Sequence, residues 1–152
     1  MKIQVLSIGK VREPFYRDGI AEYSKRVEAY CSFDLRESAK ERSDAESDLE
    51  AAYEPLRKDF LRAGNRVALD LTGRTITSEG LAQWLDDVMR SGDRRISFLI
   101  GGPNGLPANA IKDSTMVLSL SAMTLPHQMA RLLLLEQLYR GFSILRGDPY
   151  HR

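Results

Sequence analysis

Strand-like and helix-like segments alternate along the whole chain, and this alternation limits the possible folds more than any other feature of the sequence. The strand-like segments are short and rich in branched apolar residues; they lie at 2–8, around Phe33 and Leu35, and at 66–71, 95–100 and 115–120. Between them, apolar residues recur every three or four positions, as on one face of a helix. Strands separated by helices predict an α/β domain whose mostly parallel sheet has helices on both faces.

The predicted helices share this apolar periodicity and lie at 16–30, 44–63, 81–88 and about 126–146, with a short helix or turn near 107–112. Ser78 is expected to cap the third helix, and Gly64 is a plausible cap after the second. Pro55 should break or kink the middle of the second helix because proline lacks an N–H. Gly147, with a proline two residues beyond it, is expected to close the last helix.

The last predicted helix carries more apolar surface than one face of a sheet requires. The four leucines of 132–135 point nearly all the way round it, and a helix that is apolar on most sides is buried on most sides. A second copy of the chain would cover the extra surface, with Leu134 as a candidate interface residue. A helix sandwiched inside one monomer explains the pattern about equally well.

Composition favours one ordinary globular domain over residues 1–152, with 43% hydrophobic residues and 22 basic against 21 acidic ones. No apolar run is long enough to span a membrane, and no signal peptide is recognisable, so a cytoplasmic location is expected. The single cysteine, Cys31, excludes an internal disulfide and is expected to be a small buried hydrophobe. No metal-ligand spacing is present. The charged stretch 36–48 is expected to be a solvated surface loop.

Ligands of parallel sheets bind at the carboxyl ends of the strands, which here are the loops after residues 70, 100 and 120. The loop at 101–105, Gly-Gly-Pro-Asn-Gly, does not match a dinucleotide fingerprint, and it is a tight structural turn as often as a ligand cradle. A second loop of small polar residues covers 119–126. His127 is expected to have a structural role at the start of the last helix. The terminus, 148–152, is rich in functional side chains, although last residues are often frayed.

Four segments carry a resemblance to a known family. They are Phe-Leu-Ile-Gly-Gly-Pro-Asn-Gly-Leu at 98–106, Leu-Ser-Leu-Ser-Ala-Met-Thr-Leu-Pro-His at 118–127, Glu-Gln-Leu-Tyr-Arg at 136–140 and Pro-Tyr-His-Arg at 149–152. Together they resemble the RlmH family, bacterial methyltransferases of the SPOUT class that act on large-subunit ribosomal RNA. The likeness runs the full length of the chain and is most specific in the last third.

The resemblance implies a SPOUT-type fold with a C-terminal trefoil knot, a homodimer, and S-adenosylmethionine (SAM) as methyl donor without a metal. It implies methylation of N3 of a pseudouridine in 23S rRNA, on the assembled ribosome. The family's SAM contacts fall on residues of the three strand-end loops: Leu69, Gly101, Leu120, Ser121, Ala122, Met123, Thr124 and Leu125. A branched side chain at Gly101 is therefore expected to occupy the cofactor's space.

The resemblance and the side-chain chemistry together make Tyr150, His151 and Arg152 the candidate catalytic residues. The ring could stack on the target base, the imidazole could accept the N3 proton or orient a water, and the guanidinium could hold a phosphate or carbonyl oxygen. In a dimer, this tail could complete the partner's site.

Two alternatives from other classes stay open on the sequence. The first is a ribosome-binding or RNA-binding module without catalysis, which would use Lys10, Arg12, Tyr150 and Arg152. The second is an α/β enzyme for a small nucleotide that uses the glycine loop alone. Binding of SAM separates the methyltransferase from both.

Overall fold

Five strands form one sheet in the computed structural model, which describes residues 1–152, and all neighbouring strands are parallel. The strands are β1 (Lys2–Ile8), β2 (Ser32–Ser38), β3 (Asn65–Arg74), β4 (Arg95–Ile100) and β5 (Met116–Leu118). Their spatial order is β2-β1-β4-β3-β5. Because every strand runs the same way, the loops that follow all five strands meet at one edge of the sheet.

Helices cover both faces of this sheet: α1 (Pro14–Glu28), α2 (Glu46–Leu61), α3 (Ser78–Arg90), α4 (Ala108–Asp113) and α5 (His127–Arg146). Buried side chains of α1, α3 and α5 form one apolar cluster with the sheet, and those of α2 and α4 contribute to a second cluster on the other face. The predicted α/β class with a parallel, doubly covered sheet is therefore confirmed. The trefoil knot stays a prediction. No helix combines the length and the hydropathy that crossing a membrane requires.

The last helix, α5, packs between α1 and α3 within a single chain. Leu134, Leu135 and Leu138 are fully buried there. The close approach of α1 depends on Gly19, where a Cβ would lie 3.1 Å from the Leu132 side chain. The expectation that Leu134 is an interface residue is wrong, because it is a core residue of the monomer, whereas Leu133 and Leu145 of the same helix are 36% and 37% exposed.

The ends of α3 and α5 show how local chemistry sets the boundaries. Thr77, not Ser78, caps α3, because the Thr77 Oγ1 accepts from the Gly80 amide at 3.0 Å. The Ser78 hydroxyl instead donates to another helix, so the predicted cap was one residue late. Gly147 ends α5 in the left-handed conformation, with φ of 74°, as predicted.

Neither Gly64 nor Pro55 ends α2. The expected break at Pro55 is absent, since Pro55 lies on the solvent-exposed side where water can bind the carbonyl that loses its partner. Gly64 is not its cap, because the helix ends at Arg62 with right-handed backbone angles. A glycine at 64 is required for another reason: a Cβ there would lie 2.6 Å from an oxygen of the Asp93 carboxylate.

Candidate active site

A cleft of about 340 Å³ opens at the carboxyl edge of the sheet, above the ends of β3, β4 and β5. This volume lies in the range of small-molecule sites. Its wall includes seven of the eight residues that the sequence marks for cofactor binding: Leu69, Gly101, Leu120, Ser121, Met123, Thr124 and Leu125. Ala122, the eighth, is exposed and does not line it. The three loops that topology pointed to therefore do converge on one cavity.

The glycine loop forms one wall of the cleft and closes on itself. The Gly105 amide donates to the Gly102 carbonyl at 3.1 Å, and Gly105 has a φ of 85°. A Cβ on Gly101 would lie 2.6 Å from the Gly105 carbonyl carbon and oxygen. The expectation that a side chain at Gly101 would project into the cofactor's space is wrong, because it would first strike the loop's own backbone.

Glu41 holds this loop from behind. It is 4% exposed, and its Oε1 accepts from the Asn104 amide at 2.8 Å. Its other oxygen, Oε2, is buried beside Gly102 and has no hydrogen-bond partner. The expectation that 36–48 is a solvated loop is thus wrong at Glu41. A second carboxylate of this region, Glu46, accepts from the Ala108 amide at 2.6 Å, where α4 begins.

The loop between β5 and α5 forms another wall of the cleft. Its shape is fixed by the Ser119 hydroxyl, which donates to the Ser121 carbonyl at 2.8 Å, and by the Ser121 hydroxyl, which accepts from the Met123 amide at 3.0 Å. Other amides of the loop donate to no group of this chain: those of Leu120, Ser121, Ala122, Thr124 and Leu125. An apolar slot with free main-chain donors is what a purine ring requires.

His127 is the first residue of α5 and also lines the cleft. Burial, and then the positive charge of Arg131, lowers the pKa of the His127 imidazole below its ordinary value. The ring is therefore neutral at pH 7 and can donate or accept a hydrogen bond. The sequence favoured a structural role at the helix start, and its position in the cleft wall adds a contact that the helix signal alone could not show.

The C-terminal tail is docked rather than frayed. The Tyr150 ring packs against Tyr139 at 4.6 Å between centroids, and its hydroxyl donates to Glu136 at 3.0 Å. Its hydroxyl also lies 3.0 Å from the Tyr23 hydroxyl on α1. Burial, followed by these hydrogen bonds, raises the pKa of Tyr150, so the phenol keeps its proton.

His151 is held on both sides. Arg140 lies 3.2 Å from Nδ1 and Glu79 lies 2.9 Å from Nε2. Because a guanidinium only donates, Nδ1 must be the acceptor and Nε2 carries the proton given to Glu79. Arg152 is exposed, and its Nε donates only to the Pro149 carbonyl, at 3.1 Å.

The tail lies far from the cleft of its own chain. Arg140, which contacts His151, follows Ala130 of the cleft wall by 10 residues along α5, a rise of about 15 Å at about 1.5 Å per residue. None of the three tail residues lines the cleft. The structure thus brings the predicted cofactor positions together but keeps the predicted catalytic tail apart from them.

The chain is similar to known proteins in both sequence and fold. A family model described as "Predicted SPOUT methyltransferase" matches residues 1–151. The chain belongs to the SPOUT methyltransferase family. Two curated relatives of this methyltransferase are named ribosomal RNA large subunit methyltransferase H. The protein of Syntrophomonas wolfei is 41% identical, and that of Clostridium beijerinckii is 37% identical; each match covers 100% of both chains. The resemblance to the RlmH family is therefore confirmed.

Two solved structures show the same SPOUT fold. A methylase family protein from Haemophilus influenzae matches with a TM-score of 0.58 and 16% identity, covering 99% of this methyltransferase and 70% of that chain. A methyltransferase from Legionella pneumophila, solved with the cofactor SAM bound, matches with a TM-score of 0.53 and 13% identity. The match covers 91% of this chain and 65% of the Legionella chain. At these identities the likeness concerns the fold.

Proposed function

We propose that this SPOUT methyltransferase transfers a methyl group from SAM to N3 of a pseudouridine in 23S rRNA of the assembled ribosome. The observation that carries the proposal is the convergence of seven family cofactor positions on one cleft with free main-chain donors. The names of the full-length relatives support ribosomal RNA as substrate, and the SAM-bound Legionella structure supports the donor. We also propose that residues 1–152 act as one domain in the cytoplasm.

The cleft fits SAM in shape and polarity. Leu69, Leu118 and Leu120 supply apolar surface for the adenine, and the free amides of the 119–125 loop supply donors to its ring nitrogens. SAM brings an electrophilic methyl group on a sulfonium, so the transfer needs neither a metal nor a covalent enzyme intermediate. The protein's task is to hold the acceptor nitrogen in line with that methyl group.

Removing the N3 proton is the proposed task of the tail. With Nδ1 accepting from Arg140 and Nε2 donating to Glu79, the His151 imidazole has no free lone pair in this arrangement. The imidazole lone pair is on Nδ1, so the Arg140 contact must open before His151 can accept a proton. Opening of the exposed Glu79 contact frees only the Nε2–H group, which is a donor.

The separation of about 15 Å along α5 between the cleft wall and Arg140, which contacts the tail, supports a homodimer in which one subunit's tail serves its partner's cleft. Leu134 is buried inside the monomer, so among the leucines of α5 only Leu133 and Leu145 remain exposed for a partner. Tyr150 and His151 are docked against α1, α3 and α5, and none of the three tail residues lines the cleft of its own chain.

Methyl transfer from labelled SAM to ribosomes from a strain that lacks this methyltransferase tests the function. We expect one methyl group per ribosome, recovered on N3 of pseudouridine after nucleoside analysis, and SAM binding to the free protein by calorimetry. Ribosome binding without SAM binding would favour the non-catalytic RNA-binding module. Nucleotide binding with neither SAM nor ribosome binding would favour the small-nucleotide enzyme.

Mixed dimers test the shared site. One lesion is deletion of residues 150–152, expected to leave SAM affinity intact and to lower methylation at least about a hundredfold. The other is Gly101→Val, which disables the cleft. With both lesions on one subunit and a wild-type partner, a shared site predicts no activity. With the lesions on opposite subunits, one complete site remains and activity survives. Equal activity in the two arrangements contradicts sharing.

A further inference from the structure

A second depression, the basic hollow, lies beside the cleft at the same edge of the sheet, over the ends of β1 and β2. It measures about 680 Å³, and its cationic residues are Lys10, Arg12, Arg17 and Lys40. Pro103 and His127 belong to the walls of both the cleft and the hollow. The hollow therefore continues the cleft along the edge of the sheet.

The four cations of the hollow have no acidic partners. None of them forms an ion pair, whereas arginines elsewhere on the surface, such as Arg26, Arg57 and Arg95, are paired with carboxylates. Two nearby carboxylates are engaged elsewhere, since Glu37 binds Arg131 and Glu41 accepts from the glycine loop, while the exposed Glu13 next to Arg12 pairs with none of the four cations. With a net charge of only +1 for the whole chain, this concentration of unpaired positive charge is local.

Gln128 fixes the loop that carries two of these cations. Its side-chain oxygen, Oε1, accepts from the amides of Arg12 and Glu13 at 3.0 and 3.3 Å. This residue is in the first turn of α5, directly after His127 of the cleft wall. The position of the loop is thereby tied to the position of the cleft.

An ion pair with one buried partner fixes the other side of the same loop. Arg131 is fully buried and donates to the Gly9 carbonyl at 3.1 Å and to Glu37, whose side chain is partly exposed, at 2.7 Å. The same Glu37 oxygen accepts from the Val11 amide at 2.8 Å. Burying the Arg131 charge is costly, and its contacts hold the backbone on either side of Lys10. The hollow is pre-organised, which lowers the ordering cost of binding an anion.

We propose that the basic hollow binds the phosphodiester backbone of the rRNA next to the target nucleotide, which enters the cleft past Pro103 and His127. The inference rests on the proposed function, since it assigns part of the substrate site. Lys10 and Lys40 act as point charges, and Arg12 and Arg17 can bind phosphate oxygens through two N–H groups. Loop contacts from Gln128 and Arg131 set the distance between phosphate and cleft.

The double variant Lys10→Gln/Arg12→Gln tests the hollow against a matched control, Lys58→Gln/Lys112→Gln. The control cations lie in the last turns of α2 and α4, which precede strands and so end at the opposite edge of the sheet. For the hollow variant we expect KM for ribosomes to rise about tenfold, with kcat and SAM affinity within about twofold of wild type. The control should match wild type.

The salt dependence of ribosome binding tests the same proposal independently. Each phosphate contact contributes about 0.7 to 0.9 to the slope of log affinity against log salt, so the hollow variant should have a slope shallower by about 1.4 to 1.8. Gln128→Met keeps every cation but removes the acceptor for two loop amides. It should weaken ribosome binding while leaving the salt slope unchanged, which a purely electrostatic surface would not show.

The inference is overturned if Lys10→Gln/Arg12→Gln has the same KM and salt slope as the control variant. It is also overturned if that variant loses SAM affinity along with ribosome binding. Failure of the proposed function is distinguishable: wild-type protein would then transfer no methyl group. In that case filter binding of ribosomes to the same variants still decides the role of the hollow, because binding and its salt slope are measured without turnover.

Discussion

Replacing Glu41 by alanine should weaken SAM binding without greatly destabilising the fold. The Glu41 carboxylate is buried behind the glycine loop, where Oε1 accepts from the Asn104 amide at 2.8 Å. It connects a loop after β2 to the loop after β4. Its loss leaves the loop's own turn, the Gly105–Gly102 hydrogen bond, as the nearest constraint on this wall of the cleft.

The magnitude follows from two opposing effects. A hydrogen bond to a charged group contributes about 1.5 to 3 kcal/mol, and alanine removes it. Glu41 also buries an oxygen, Oε2, that has no partner, and such a group costs about 1 to 3 kcal/mol, which alanine relieves. The free energy of unfolding should therefore change by no more than about 2 kcal/mol. Without Glu41, however, SAM must order the glycine loop when it binds. If this ordering costs about 1.4 kcal/mol of binding free energy, the SAM affinity falls tenfold.

Calorimetric titration with SAM and urea unfolding measure the two quantities on the same protein. Glu41→Gln keeps an acceptor for the Asn104 amide and should remain within about threefold of wild-type affinity. Glu50→Ala, an exposed carboxylate of α2 with no ion pair, is the matched control. Unchanged SAM affinity in Glu41→Ala, with a folded protein, would refute the role given to Glu41.

Three further substitutions or reagents test the structure elsewhere. Gly101→Val should abolish SAM binding by distorting the loop at Gly105, so amide exchange of that loop should accelerate, and a loop unchanged in exchange would contradict this. Leu134→Glu should prevent folding, since an unpaired charge in the core costs more than about 4 kcal/mol. Leu145→Glu, at a partly exposed position, should fold, and urea titration measures the free energy of unfolding of both variants. Cys31, whose pKa burial raises to about 11, should react with iodoacetamide at pH 8 roughly a hundredfold more slowly than a free thiol, and a rate equal to that of free cysteine would show that it is not protected.

Local patterns were enough to predict the sheet and the cleft. All five strands were found because apolar runs and helical periodicity are properties of neighbouring residues. The cleft followed from topology, since parallel strands bring the loops after residues 70, 100 and 120 to one edge. The error at Ser78 is of the same local kind: two hydroxyl residues compete for one cap, and the backbone geometry chose Thr77.

The sequence could not predict contacts between distant segments of the chain. Glu41 and Asn104 are 63 residues apart, and a carboxylate in a charged stretch gives no sign that it is buried. Leu134 presents the same difficulty, because a helix covered by α1 and α3 has the same periodicity as one covered by a second subunit. The position of the tail also depends on packing. The chemistry of Tyr150 makes it a candidate catalytic residue, but its contacts with α1 and α5 place it away from the cleft.

The proposed catalytic role of the tail must be separated from its structural role, because its docking contacts tie three helices together. Tyr150 meets α1 and α5, and His151 meets α3 and α5, so deleting either side chain changes packing as well as chemistry. Arg152 differs: it is exposed, and its guanidinium contacts only the Pro149 carbonyl. Arg152→Gln should therefore leave the melting temperature within about 2 °C of wild type, since surface changes cost less than about 0.5 kcal/mol. If the guanidinium holds an RNA oxygen, methylation should still fall at least about tenfold, and Arg152→Lys should restore only part of it, because a lysine cannot bind two oxygens in one plane. Full activity in Arg152→Gln would confine the chemistry of the tail to Tyr150 and His151.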